Sequence, residues 1–236
     1  MYSRYESVPK RLIECRKEMN LSQIEMSGRF GVSQGYYCKL ERGIHTISFE
    51  ILQLLRKMGG DVYYLISGEK YQFGIVDDYT KKCKSEVDKI EIEKIIIWLI
   101  NQGIQKEHII CSDLSKLWKY VSYAENRYKE HNIWMNIRRT EELSQEKMAK
   151  VMDIDVKRYR RLEKGIILPD ADILVALYQK FNYSPLIFLE NDLYYSDKLN
   201  KIWNMFSEKL QEELKTFLNQ AIKLIENKYT KESIIS

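Results

Sequence analysis

"LSQIEMSGRFGVSQGYYCKLERG", residues Leu21–Gly43, decides how the rest of the chain is read, because it returns as "LSQEKMAKVMDIDVKRYRRLEKG" at Leu143–Gly165. The second stretch starts 122 positions after the first and keeps step without a gap, with eight of the twenty-three positions identical. In the first stretch, Ser22 followed three residues later by Glu25 reads as a capping box that opens a helix. Gly31 can adopt positive φ and turn the chain, Ser33 caps a further helix from Gln34 to Arg42, and Gly43 is a left-handed stop. Two helices joined by a three- or four-residue turn containing Gly form a helix-turn-helix. Side-chain sizes agree: Ser27 and its counterpart Ala149 are small, so the two helices can approach closely. Phe30, Val32, Tyr37 and Leu40 supply the apolar side, and Met152, Ile154, Tyr159 and Leu162 take those places in the second copy.

Outward from this core, "VPKRLIECRKEMN" places Pro9 near a helix start and repeats Val8, Leu12, Ile13, Cys15 and Met19 at helical spacing. A further helix is predicted through Phe49, Leu52 and Leu55, followed by the short segment "VYYLISGE". The same offset extends beyond the heads, since Ile92, Ile95, Ile96, Leu99 and Ile100 fall on Leu214, Phe217, Leu218, Ala221 and Ile222. The duplicated unit is therefore read as a head plus a following helix. With Ile90, Trp98 and Trp118 in the middle and Trp203, Phe206 and Leu210 near the end, these helices either pack the two heads into one body or offer a dimerisation or partner-binding stripe. Spacing fits both readings. The expected fold class is all-α, with helix-turn-helix domains at 1–70 and 123–195, a helical linker at 71–122 and a C-terminal helix at 196–236.

Composition narrows the function classes. Across 236 residues, 44% hydrophobic and 31% charged content is that of a soluble globular protein. The longest apolar run, Ile95 to Ile100, is far short of a membrane span of about 20 residues. The start "MYSRYESVPKR" has no apolar core of a signal peptide, and Cys15, Cys38, Cys83 and Cys111 show no CxxC spacing, so a cytoplasmic protein with reduced thiols and no membrane association is expected. His45, His108 and His131 are scattered, and no Gly-rich phosphate loop, GxSxG elbow or paired-acid motif occurs. No metal, cofactor or catalysis is expected. The net charge of +4 is mild, but Lys157, Arg158, Arg160, Arg161 and Lys164 concentrate positive charge on one short segment with a single acid, Glu163.

The repeated pattern resembles the Cro/cI-repressor (XRE) type of helix-turn-helix domain, a five-helix, lambda-repressor-like unit. The resemblance rests on "LSQ....S" with "GVSQGYYCKLERG", and on "LSQEKMA" with "RYRRLEKG", and covers roughly residues 5–70 and 127–192. Asp153 departs from it, standing where the first copy has Gly31. The resemblance implies that the third helix of each head enters the major groove of double-stranded DNA. Residues facing DNA would be Gln23, Ser33, Gln34, Gly35, Tyr36 and Lys39 in the first head, and Gln145, Lys157, Arg158 and Arg161 in the second. Gln34 would read an adenine edge, Gln23 would touch phosphate and brace the reading glutamine, and arginine in the second head suits guanine or phosphate. The family also pairs a helix 1 arginine with a glutamate ending helix 3, which here gives Arg16 with Glu41 and Arg138 with Glu163. The implied function is a sequence-specific transcriptional regulator with two different reading helices. A homodimer with four heads is left open. So is a protein-interaction module on the same fold, antitoxin-like or anti-repressor, with one or both heads not binding DNA.

Overall fold

The computed structural model describes residues 5–83, 85–111, 114–116, 118–119, 133–189 and 196–232; the expected start of the second head, 123–132, lies outside them. The first copy contains α1 (Val8–Glu18), α2 (Gln23–Phe30), α3 (Gln34–Glu41), α4 (Phe49–Lys57), α5 (Val62–Ser67), α6 (Ile75–Thr80) and α7 (Glu86–Lys106). The second contains α8 (Ile133–Thr140), α9 (Gln145–Val151), α10 (Val156–Glu163), α11 (Ala171–Phe181), α12 (Leu186–Leu189), α13 (Ser196–Trp203) and α14 (Glu208–Glu232). No strand occurs among the described residues. Helices α2, α3, α4 and α7 begin 122 residues before α9, α10, α11 and α14, so the offset found in one motif extends to the long helix that follows each head.

Local chemistry sets the helix ends. Ser22 caps α2 as the capping box requires: Glu25 N donates to Ser22 Oγ at 3.2 Å, and Ser22 N donates to the Glu25 carboxylate at 2.8 Å. The turn from α2 to α3 passes through Gly31 at φ 65°; in the second head Asp153 takes the same left-handed conformation at φ 54°. Aspartate is among the few residues with a side chain that tolerates it.

Helices α1–α5, with α8 as far as Arg138 and α9–α12, form one compact unit. Its first head closes on Val8, Leu12, Met26, Tyr37, Leu40, Leu52, Leu55, Val62 and Leu65, all fully buried. Helix α11 is what joins the heads. Ile173, Leu174, Val175, Ala176 and Leu177 are all buried, and a helix whose buried residues span so wide an arc must pack on more than one side. Ala171, Leu174 and Val175 enter the core of the first head. Tyr178 meets Tyr63 of α5 edge-to-face, with ring centroids 6.0 Å apart. The seam is sealed by backbone: Ala171 N donates to the Ile47 carbonyl at 2.9 Å, while Ile47 N donates to the Tyr5 hydroxyl at 3.0 Å. The boundaries expected at 70, 122 and 195 follow the chain; in space the two heads share one core, because α11 has two apolar faces to cover.

Helices α6, α7, α13 and α14 belong to the second unit, where α7 packs on α14 and α6 on α13. Ile92, Ile96, Leu99 and Ile100 are buried, as are Leu214, Leu218 and Ile222. Phe217, expected with them, is 61% exposed. At about 100° per residue it lies beside the row formed by Leu214, Leu218, Ile222 and Ile225, not on it. Asn200 of α13 is wholly buried and ties the short helices together. Its Nδ2 donates to the Gln72 carbonyl at 3.0 Å and to Asp77 at 2.7 Å, and its Oδ1 accepts from Val76 N at 3.0 Å. Gly103 of α7 admits the Phe206 ring, which a Cβ there would meet at 2.6 Å. Among the described residues, no helix is long and apolar enough to cross a membrane.

Leu174→Ala should cost about 2–5 kcal/mol, the usual loss for a fully buried leucine. Because Leu174 belongs to α11 of the second head and enters the core of the first, scanning calorimetry should show the unfolding transition move to lower temperature.

Candidate nucleic-acid interface

The third helix of each head starts at a side-chain cap. Ser33 Oγ accepts from Tyr36 N at 3.2 Å, and at the equivalent position Asp155 accepts from Lys157 N at 2.7 Å and Arg158 N at 3.3 Å. The inner faces are anchored by Tyr37 and Leu40 in α3 and by Tyr159 and Leu162 in α10, all at 0% exposure. The opposite faces are therefore turned to solvent. On α3 these are Gln34, Gly35 and Lys39, all exposed, and nothing lies within 4 Å of a Cβ built on Gly35. Half-buried Tyr36 is stacked on His45, centroids 5.2 Å apart at 22°. On α10, Lys157 and Arg161 are exposed. Arg158 donates from Nη2 to Asp170 at 2.7 Å, and Arg160 is bound to Glu146 at 2.6 Å.

A buried ion pair fixes each helix in place. Arg16 Nε donates to Glu41 at 2.7 Å and Arg138 Nε to Glu163 at 2.5 Å. The same guanidiniums also donate to the carbonyls of Leu21 at 2.7 Å and Leu143 at 3.0 Å, so α1 and α8 hold the loops that follow them. Burial pushes the Glu41 carboxyl up, but hydrogen bonds from Arg16 and Gln23 outweigh it and hold the group below the ordinary glutamate range. Burial raises the Tyr37 and Tyr159 phenols well above their usual value, so both remain neutral beside these carboxylates.

Gln23 is placed differently from the sequence expectation. Its Nε2 donates to Glu41 at 2.6 Å, and its Oε1 accepts from the Cys38 thiol at 3.4 Å, so it braces Glu41 and not Gln34. The second oxygen of Glu41, enclosed and not engaged by Arg16, takes the amide. Gln145 repeats this on Glu163, with Arg160 Nε donating to its Oε1 at 3.1 Å.

A family model described as "Helix-turn-helix" matches residues 12–60 and again residues 135–188. The chain carries two Cro/cI-type helix-turn-helix domains in tandem. Comparison with curated proteins and with solved structures gave no match. Members of this family are DNA-binding transcription regulators and are not normally enzymes. The second helix-turn-helix domain is less basic in effect than its sequence suggests. Of the five cations from Lys157 to Lys164, Arg158 and Arg160 are already paired; Lys157, Arg161 and Lys164 make no ion pair among the described residues. The first domain leaves Gln34 without a hydrogen bond among the described residues, fully available to a partner. Sequence reasoning missed His45 and Asp170, which hold Tyr36 and Arg158. Asp170 before "ADIL" is legible as a helix cap, and it does accept from Ile173 N at 3.1 Å; its bond to Arg158 has no local signature.

Arg16→Ala should destabilise the helix-turn-helix unit by about 3–5 kcal/mol, because it strands a buried carboxylate. Gln34→Ala should leave the melting temperature within a degree or two, as substitutions at exposed sites usually stay within about 0.5 kcal/mol. Thermal melts of the two variants check this difference. Since the Glu41 pKa is depressed on folding, its stabilisation is present above the unfolded glutamate value of about 4.3 and is lost as pH falls below it. Melting temperature against pH should therefore fall below about pH 4.3, and Glu41→Gln should flatten that limb while lowering stability at neutral pH.

Proposed function

We infer that the two domains read two non-identical half-sites of one double-stranded operator, each with its own helix in the major groove. The observation that carries this reading is a contrast between the copies. Caps, turn, buried tyrosine and leucine, ion pair and bracing glutamine recur at the 122-residue offset, whereas the solvent-facing positions do not. In the first head Gln34 offers a side-chain amide, suited to bidentate bonding of an adenine edge. Gly35 permits close approach, and Ser33, Tyr36 and Lys39 flank it at the helix tip. In the second head Arg158 suits guanine O6/N7, while Lys157 and Arg161 suit phosphate. Gln23 and Gln145 hold the frame by bracing Glu41 and Glu163. Ordinary regulators of this type bring two chains together to cover two half-sites. Here the shared core through α11 supports a single chain doing so, by stoichiometric occupancy of the operator.

Selection of bound sequences from a random duplex pool tests this. Gln34→Ala and Arg158→Ala should each relax a different part of the selected motif, with affinity for the preferred duplex falling by about tenfold or more, the size of one lost bidentate contact. Affinity should also fall steeply with salt, by about 0.9 log unit per phosphate contact per log unit of salt. A motif altered by neither variant would contradict base reading by these helices. Absence of duplex binding even at low salt would favour the protein-interaction module.

A further inference from the structure

We propose that Asp170 is a specificity-determining positioning residue, which holds the guanidinium of Arg158 in the orientation that reads its base; this rests on the second head reading DNA as inferred above.

Arg158 occupies the position that Tyr36 occupies in the first head, 122 residues earlier. The two readers differ, and so do the groups that hold them. Tyr36 is stacked on His45, where the second copy has Ile167; Arg158 is paired with Asp170, where the first copy has Ser48. Ile167 could not replace the carboxylate as a partner for arginine, and the Ser48 side chain caps no backbone N–H of its own helix. Reader and brace have therefore changed together.

The Asp170 carboxylate is itself fixed. One oxygen accepts from Ile173 N at 3.1 Å as the cap of α11, and the other accepts from Arg158 Nη2 at 2.7 Å. The next residue, Ala171, donates its N–H to the Ile47 carbonyl of the first head. The acceptor for Arg158 is thus rooted at the seam between the heads and not on a free side chain. The pair is neither buried nor fully solvated, with side chains 41% and 25% exposed. Among exposed ion pairs this would contribute little to stability. Its effect lies elsewhere. An unrestrained arginine loses much of its rotamer freedom on being fixed. A guanidinium carries five N–H donors, so one bond to Asp170 leaves donors for guanine while removing much of that freedom before DNA arrives.

The test uses the full chain with Asp170→Ser and Asp170→Asn, each with Arg158 and with Arg158→Ala. Serine retains a cap for α11, as good as aspartate at that position, so folding is preserved and followed by melting temperature. Asparagine keeps both cap and acceptor without the charge. Duplex selection and titration with the selected duplex should show Asp170→Ser losing affinity about tenfold and relaxing the same base positions as Arg158→Ala, with the first head's positions unchanged. Asp170→Asn should fall between wild type and Asp170→Ser. In the Arg158→Ala background, Asp170→Ser should change nothing further. The proposal is overturned if folded Asp170→Ser and Asp170→Asn keep wild-type selectivity, or bind more tightly, while Arg158→Ala relaxes the motif. If Arg158→Ala itself leaves the motif unchanged, the reading by the second head falls, and the proposal with it.

Discussion

A buried guanidinium–carboxylate bond between the first and third helices of each head is the interaction on which the rest depends. Arg16 reaches Glu41 from α1 while also holding the Leu21 carbonyl, and Gln23 at the start of α2 closes the remaining oxygen of Glu41. Three helices and one loop therefore converge on one carboxylate. In Coulombic terms such a pair gains little over a well-packed apolar substitute, because desolvation offsets most of the attraction. Its value is geometric. A planar guanidinium with several donors admits few arrangements, so the tilt of α3 against α1 is set by bond directions and not only by the less directional packing of Tyr37 and Leu40. Arg138, Glu163, Leu143 and Gln145 rebuild the same cluster in the second head.

With the frame fixed twice, variation is confined to what the frame holds out. The first head presents an amide, a glycine and a stacked tyrosine; the second presents cations, two of which are already engaged by acids of the same head. Counting charge along the sequence overstates the basic character of the second head for this reason. An arginine bonded to Asp170 or Glu146 is less available to a phosphate than a lysine with no partner, but its position is better defined. Two surface chemistries are built on one scaffold, and the acids decide which cations are restrained.

The duplication has a further physical consequence. Like pairs with like: heads form one compact unit, and the helices that follow them form another, with α7 on α14 and α6 on α13. A dimer of single-headed chains would dissociate on dilution. Here the copies are covalently linked and their association is intramolecular, so the pairing of heads does not depend on protein concentration.

Much of the fold was legible because it is local. Ser22 with Glu25, Ser33, Gly31 and Gly43 each act on backbone within four residues, so helix ends could be read directly from the sequence. The ion pairs were legible for another reason: the family resemblance implies a helix 1 arginine with a helix 3 glutamate, and the repeat of both residues at one offset supported it. The seam was not read, although five consecutive buried residues, Ile173 to Leu177, carried its signal: a helix with so wide an apolar arc has a second surface to cover. Phe217 showed the converse, an apolar residue in register with its counterpart Ile95 yet off the buried row. By itself, then, the sequence determined the helices, their caps, the duplicated frame and the faces turned outward, all consequences of short-range geometry and apolar periodicity. Only the tertiary structure decided that the heads share a core, that Gln23 braces a glutamate, and that Arg158 is held by Asp170. Those outcomes depend on which surfaces and charges meet across the fold, and chain spacing carries no record of that.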